Sequence, residues 1–224
     1  MNKGFTFAEI LITIGVIGTI SAITLPNIIS NNKRQENIAK LKKNYSIFSQ
    51  AIELSKAEHG DIENWNWDLN VTEFTETYII KNIQITKNCK TSQGCWNSSG
   101  VITGLNNISV ENIKYNNYYK FQLSDGTYTA VRHDSDHIHF YIDTNGNKKP
   151  DKYGHDCFVF TLTKGKLSDG FHNTAKSGMY MYGHGLPRID LINNYHGCNK
   201  KHSGANCGAL FQYDGWKLQP DYQL

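Results

Sequence analysis

The sequence predicts an α+β protein: a long N-terminal helix packed on an antiparallel sheet, with a loop-rich C-terminal region. Three observations predict it. An apolar run from Phe5 to Leu25 passes into a stretch with a one-sided apolar stripe. Alternating strand patterns begin at Tyr119, and periodicity fades after residue 183. Composition agrees, because 19 Gly against 4 Pro and an aromatic content of 12% suit an ordered, loop-rich β domain better than a helical bundle or a disordered chain.

The run FTFAEILITIGVIGTISAITL spans residues 5–25. As a helix it extends roughly 31 Å, which matches the apolar thickness of a bilayer. A secretory signal peptide has a more basic start, a shorter apolar core and a small-residue cleavage site. Ser21-Ala22-Ile23 is a poor site of that kind, so a single transmembrane anchor is the better reading. The mean hydropathy of -0.51 excludes a polytopic membrane protein, and the hydrophobic fraction of 39% can still supply a core. Lys3 on one side and Lys33-Arg34 on the other set no strong orientation. Glu9 is out of place in a plain anchor, because an acidic side chain in a spanning helix is costly without a positive partner.

Beyond Pro26 the chain turns polar. Ile38, Leu41, Tyr45, Phe48 and Ile52 recur at spacings of three and four, one stripe on a helix. Gly60 is a good stop signal. The stretch 26–59 is therefore expected as an amphipathic continuation of the helix, and 60–224 as the head. Residues 61–116 give little pattern beyond one short helix in TEFTETYIIKNI. YKFQL and TYTAVR read as a hairpin around Asp125-Gly126. In HIHFYID, Ile138, Phe140 and Ile142 face one way, and His137, His139 and Tyr141 the other. CFVFTLTKGKL makes four successive antiparallel strands, and 183–224 reads as mostly loop.

Met-Asn-Lys-Gly, then Phe-Thr-Phe-Ala-Glu and an apolar run, resembles a type IV prepilin leader, the motif shared by type IV pilins and type II secretion pseudopilins. The resemblance implies a pilin-like fold whose helix spans the membrane in its first half. It implies a leader at 1–4, cut by prepilin peptidase between Gly4 and Phe5, with methylation of Phe5. It assigns Glu9 to pairing with the N-terminal amine of a neighbouring subunit, and Pro26 to the proline that loosens the helix. The tail adds to the likeness with Asp214-Gly215-Trp216-Lys217 and Asp221-Tyr222 after a cysteine pair. The implied function is a structural subunit of a type IV pilus or pseudopilus-like filament. Its partners are the peptidase, other subunits through the N-terminal helix, and the cytoplasmic membrane. Its head lies outside the cytoplasm, and the finished filament is extracellular or periplasmic.

Five cysteines are present: Cys89, Cys95, Cys157, Cys198 and Cys207. Cys89 with Cys95, and Cys198 with Cys207, suit small disulfide-closed loops, although sequence alone leaves the connectivity open. Cys157, between apolar neighbours, reads as a buried thiol. The absence of a C-x-x-C spacing argues against a cysteine zinc site.

The loop DTNGNKKPDKYGHD offers oxygen donors at Asp143, Asn145, Asn147, Asp151 and Asp156. A hard cation such as calcium takes about six to eight oxygens from such a loop. Gly154 stands where an EF-hand has its glutamate, so that motif is excluded and Asp156 is the candidate to close the cage. The competing reading is a long β connection with Asn145-Gly146 as its turn. His133, Asp134, Asp136, His137 and His139 cluster, with His137 and His139 on one strand face within reach of a zinc or nickel ion, or simply exposed. No nucleophile elbow, phosphate loop or dinucleotide fingerprint occurs, so no enzyme is expected. The alternative function is a membrane-anchored binding module for DNA, a surface or a secreted substrate. Net charge is only +3, and the densest basic spot in the tail is Lys200-Lys201, so no nucleic-acid partner is expected.

Overall fold

The computed structural model describes residues 4–97, 99–115, 117–168, 172–174, 176–222 and 224. Met1 to Lys3 of the expected leader lie outside the described residues. The chain divides into two units, residues 1–36 and residues 37–224. Helix α1 runs from Phe7 to His59.

In the first unit the side chains of α1 have no core to enter. Ile10, Leu11, Ile12, Ile14, Val16, Ile17, Ile20, Ile23 and Leu25 are all exposed. This segment is long and apolar enough to cross a membrane. Its hydroxyls are satisfied within the helix. Thr13 donates to the Ile10 carbonyl at 2.8 Å, Thr19 to Val16 at 2.9 Å and Thr24 to Ile20 at 3.0 Å. Internally bonded threonines suit an apolar environment. Pro26 sits inside the helix, where it removes one backbone donor.

In the second unit α1 carries the stripe. Ile38, Leu41, Phe48 and Ile52 are buried, and Tyr45 is half-buried. The helix stops where the sequence says it should, since Gly60 takes the left-handed conformation with φ +80°. Helix α2, Val71–Tyr78, is set by an Asn70–Glu73 capping box. Then come β1 (Ile85–Lys90), β2 (Val101–Thr103), β3 (Ser109–Asn112), β4 (Tyr119–Leu123), β5 (Tyr128–His133), β6 (His137–Asp143) and β7 (Cys157–Thr163). The remaining elements are β8 (Leu167–Ser168), β9 (Asn173–Thr174), β10 (Gly178–Met181), α3 (Arg188–Asn193) and α4 (Cys207–Tyr213).

Six strands form an antiparallel sheet in the order β1-β4-β5-β6-β7-β10. The expected four-strand run is its centre, and β1 and β10 add an edge on each side. Phe48 enters the sheet's helix face, with ring centroids 5.1 Å from Phe140, 5.8 Å from Phe160 and 6.4 Å from Phe121. Ile138, Phe140 and Ile142 join this core, as the alternation predicts. The opposite face is not an exposed polar surface. Tyr141 and Val159 are buried there with Trp96, Ile102, Ile113, Tyr118, Tyr153 and Ala205. Every residue of β7 is consequently buried.

The C-terminal region is mostly loop, as expected, and carries two short helices, α3 and α4. Two disulfides, Cys89–Cys95 and Cys198–Cys207, close short loops, and Cys157 is a buried free thiol. The tail motif is a clamp. Arg188 at the start of α3 donates from Nε and Nη2 to Asp214 at 3.0 and 2.8 Å, and from Nη1 to Asp221 at 2.8 Å. Tyr222 donates to the same Asp214 at 2.7 Å. The Arg188 hydrogen bonds hold the Asp214 and Asp221 carboxyls below the usual range. Trp216, between them, lies 6.2 Å from the ring of Tyr45 on α1.

Candidate functional site

At the N-terminus, Thr6 and Glu9 bracket the first turn of α1. Glu9 accepts from the Thr6 N–H at 2.7 Å and from its hydroxyl at 2.8 Å, and the Glu9 N–H donates to Thr6 Oγ1 at 3.3 Å. This reciprocal arrangement is a capping box. The spacing Thr-x-x-Glu was the signal for it, and the sequence reading did not use it. Glu9 therefore has one role inside its own chain, holding the helix start. Gly4 and Phe5 precede the helix, and Phe5 is 86% exposed.

Three buried aspartates gather at the connection from β6 to β7. Asp143 ends β6, and its Oδ1 accepts from the N–H groups of Asn145 and Gly146 at 3.1 and 3.2 Å. Gly146 adopts φ +69°, and a Cβ there would meet the Gly126 carbonyl oxygen at 2.6 Å. Only glycine fits this turn. Asp156 closes the loop. Its Oδ1 accepts from Lys152 N–H at 2.7 Å, and its Oδ2 from Asp151 N–H at 3.1 Å and Asn145 Nδ2 at 2.6 Å. Asp151 accepts from Asn97 Nδ2 at 2.5 Å and pairs with Lys149 at 2.9 Å.

Asp143, Asp151 and Asp156 are each at most 1% exposed. Burying three carboxylates beside a single, largely exposed ammonium is costly. Burial, then the neighbouring Asp156 and Asp151, push the Asp143 carboxyl up to about 9. Burial and Asp151 push Asp156 up to about 6. Three buried oxygens here, Asp143 Oδ2, Asn145 Oδ1 and Asp151 Oδ2, have no hydrogen-bond partner among the described residues, although Asp151 Oδ2 is ion-paired with Lys149. Four of the five residues expected from the sequence thus come together. The fifth, Asn147, is exposed. A turn at Asn145-Gly146 and a cluster of buried oxygen donors turn out to coexist, so the two sequence readings of this loop are compatible.

At the other end of β6 the histidines divide. His139 is buried at 6% exposure, against Thr161 and His172, and burial holds its imidazole well below the usual range. His137 and Asp134 remain partly exposed. His133 points elsewhere, with its ring 4.9 Å from Phe74.

A model of a family of unknown function (DUF6613) matches residues 27–224. The chain belongs to this family. The match takes in the amphipathic part of α1 and the whole head, and leaves the apolar run before Pro26 outside it. No curated protein and no solved structure matches the chain.

Proposed function

We propose that this DUF6613 member is a structural subunit of a type IV pilus or pseudopilus-like filament, processed between Gly4 and Phe5. One observation carries the reading: a single acidic residue, Glu9, in an otherwise apolar and exposed helical segment that follows Gly4-Phe5. Such a helix needs an apolar surround. The membrane supplies it before assembly, and the helices of neighbouring copies supply it afterwards. The Phe5 amine of a neighbour neutralises Glu9 and fixes axial register. Two disulfides in the head support a location on the oxidising side of the membrane.

The head of this subunit holds a calcium-type cation at the β6–β7 connection, with Asp143, Asn145, Asp151 and Asp156 as its side-chain donors. The donor set is all oxygen, which suits a hard cation. The unpartnered Asp143 Oδ2 supports this role, because a buried carboxylate oxygen without a partner is otherwise a pure cost.

The test separates the two roles of Glu9. Glu9→Gln keeps an acceptor for the capping box but removes the charge. Leaving a partner amine unpaired at a desolvated site costs about 3–5 kcal/mol. Filament assembly in the native host is therefore expected to fail for both Glu9→Gln and Glu9→Ala. Normal filaments from Glu9→Gln would reduce Glu9 to a helix cap and defeat the proposal.

A further inference from the structure

The hairpin between β5 and β6 brings three metal-ligating side chains to one point. Asp134 N–H donates to the His137 carbonyl at 2.9 Å, which closes the turn and sets the Asp134 carboxylate beside the start of β6. Strand alternation then puts His137 and His139 on the same face, with ring centroids 4.7 Å apart. One ligand atom from each of Asp134, His137 and His139 lies within 4.8 Å of the other two.

We propose that Asp134, His137 and His139 form a binding site for a borderline transition-metal ion, with zinc as the reference case. Two imidazoles and one carboxylate are the donors such ions take, whereas calcium and magnesium prefer oxygen alone. The spacing supports it. His137 Nε2 and Asp134 Oδ2 are 3.6 Å apart, too far for a hydrogen bond. Zinc bonds of about 2.0–2.1 Å in a tetrahedron put neighbouring ligands about 3.4 Å apart. The observed 3.6 Å between His137 and Asp134 is close to that separation.

The ligands are also oriented from behind. Asp136 Oδ1 lies 2.6 Å from His137 Nδ1, so that nitrogen carries its proton toward Asp136 and Nε2 presents its lone pair toward Asp134. This carboxylate–histidine support is the usual outer shell of a metal-bound imidazole. Thr161 Oγ1 lies 3.2 Å from His139 Nδ1 and 3.2 Å from His172 Nε2, which fixes the buried ring. Arg132 faces the site, with Nε 3.2 Å from Asp134 Oδ2, but its Nη1 is engaged by Glu111 at 2.5 Å. A carboxylate has about four lone-pair sites, so Asp134 can keep that contact and still ligate. His137 and Asp134 are 21% and 38% exposed, which leaves an entry route and an open fourth position for water. The site is separate from the acidic loop, since His137 and Asp143 stand at opposite ends of β6, roughly 20 Å apart along the strand.

The test uses the full chain in detergent micelles, purified without a polyhistidine tag and stripped of metal. Cobalt(II) is titrated in and followed by its visible ligand-field absorption, then displaced by zinc. The expected result is about one equivalent of zinc-displaceable cobalt, unaffected by excess calcium. Asp136→Asn is expected to weaken zinc binding about 10- to 100-fold, and His137→Ala and Asp134→Asn to weaken it further. These three residues are partly exposed, so the variants should retain the wild-type thermal melt in the absence of metal. No ligand-field bands, or tight zinc binding unchanged in both His137→Ala and Asp134→Asn, would overturn the proposal. If one of these variants misfolds, the other two decide the question.

Discussion

Asp143 shows what a single buried carboxylate can report. It lies at the end of β6 with one oxygen satisfied by two backbone N–H groups and the other without a hydrogen-bond partner among the described residues. Its raised carboxyl means that the metal-free head takes up a proton on folding. The sign follows: without calcium, stability falls as pH rises from the unfolded value of about 3.9 toward about 9. On the proposed reading, calcium bound only by the folded head would stabilise it by about 2.7 kcal/mol at a concentration one hundred times its apparent Kd. Asp143→Asn is therefore expected to melt above wild type in a chelator near pH 8, and to lose most of the calcium-induced rise. Thermal melts of the full chain in detergent, with and without calcium, check both halves. A wild-type melt indifferent to calcium would remove the cation from the account. The five oxygen donors were legible in the sequence, but which of them converge was not. Convergence depends on Gly146 turning against Gly126 and on Asn97, distant in sequence, holding Asp151.

At the scale of elements, legibility followed length and periodicity. Strands β4 to β7 announce themselves by alternation, and the α1 stripe by its spacing. Edge strand β1 did not, because two register irregularities against β4 break its pattern and most of its residues are exposed. Helices α3 and α4, with 6 and 7 residues, are too short to show a helical period. The burial of His139 and Tyr141 was hidden for another reason: Tyr141 is covered by residues as far apart as Trp96, Tyr153 and Ala205, and His139 by His172 and Tyr182. Within residues 37–224, Phe48 is the centre of the contact between α1 and the sheet. It is fully buried against three phenylalanines. Phe48→Ala is expected to destabilise this unit by about 3–5 kcal/mol. Chemical denaturation in detergent checks this. A loss under about 1 kcal/mol would mean that the helix is not anchored through this ring.

The whole molecule joins a membrane-compatible helix to a disulfide-bonded α+β head. The family match begins at residue 27, so it bears on the head and not on the apolar run. The central claim rests on Gly4, Phe5 and Glu9, and it concerns a covalent event that leaves a definite mass. The most direct measurement is mass spectrometry of the N-terminal peptide of the chain isolated from native membranes. The account predicts a chain that begins at Phe5 with a methylated amine. A chain that still carries Met1 to Gly4, or that begins after the apolar run, would contradict it.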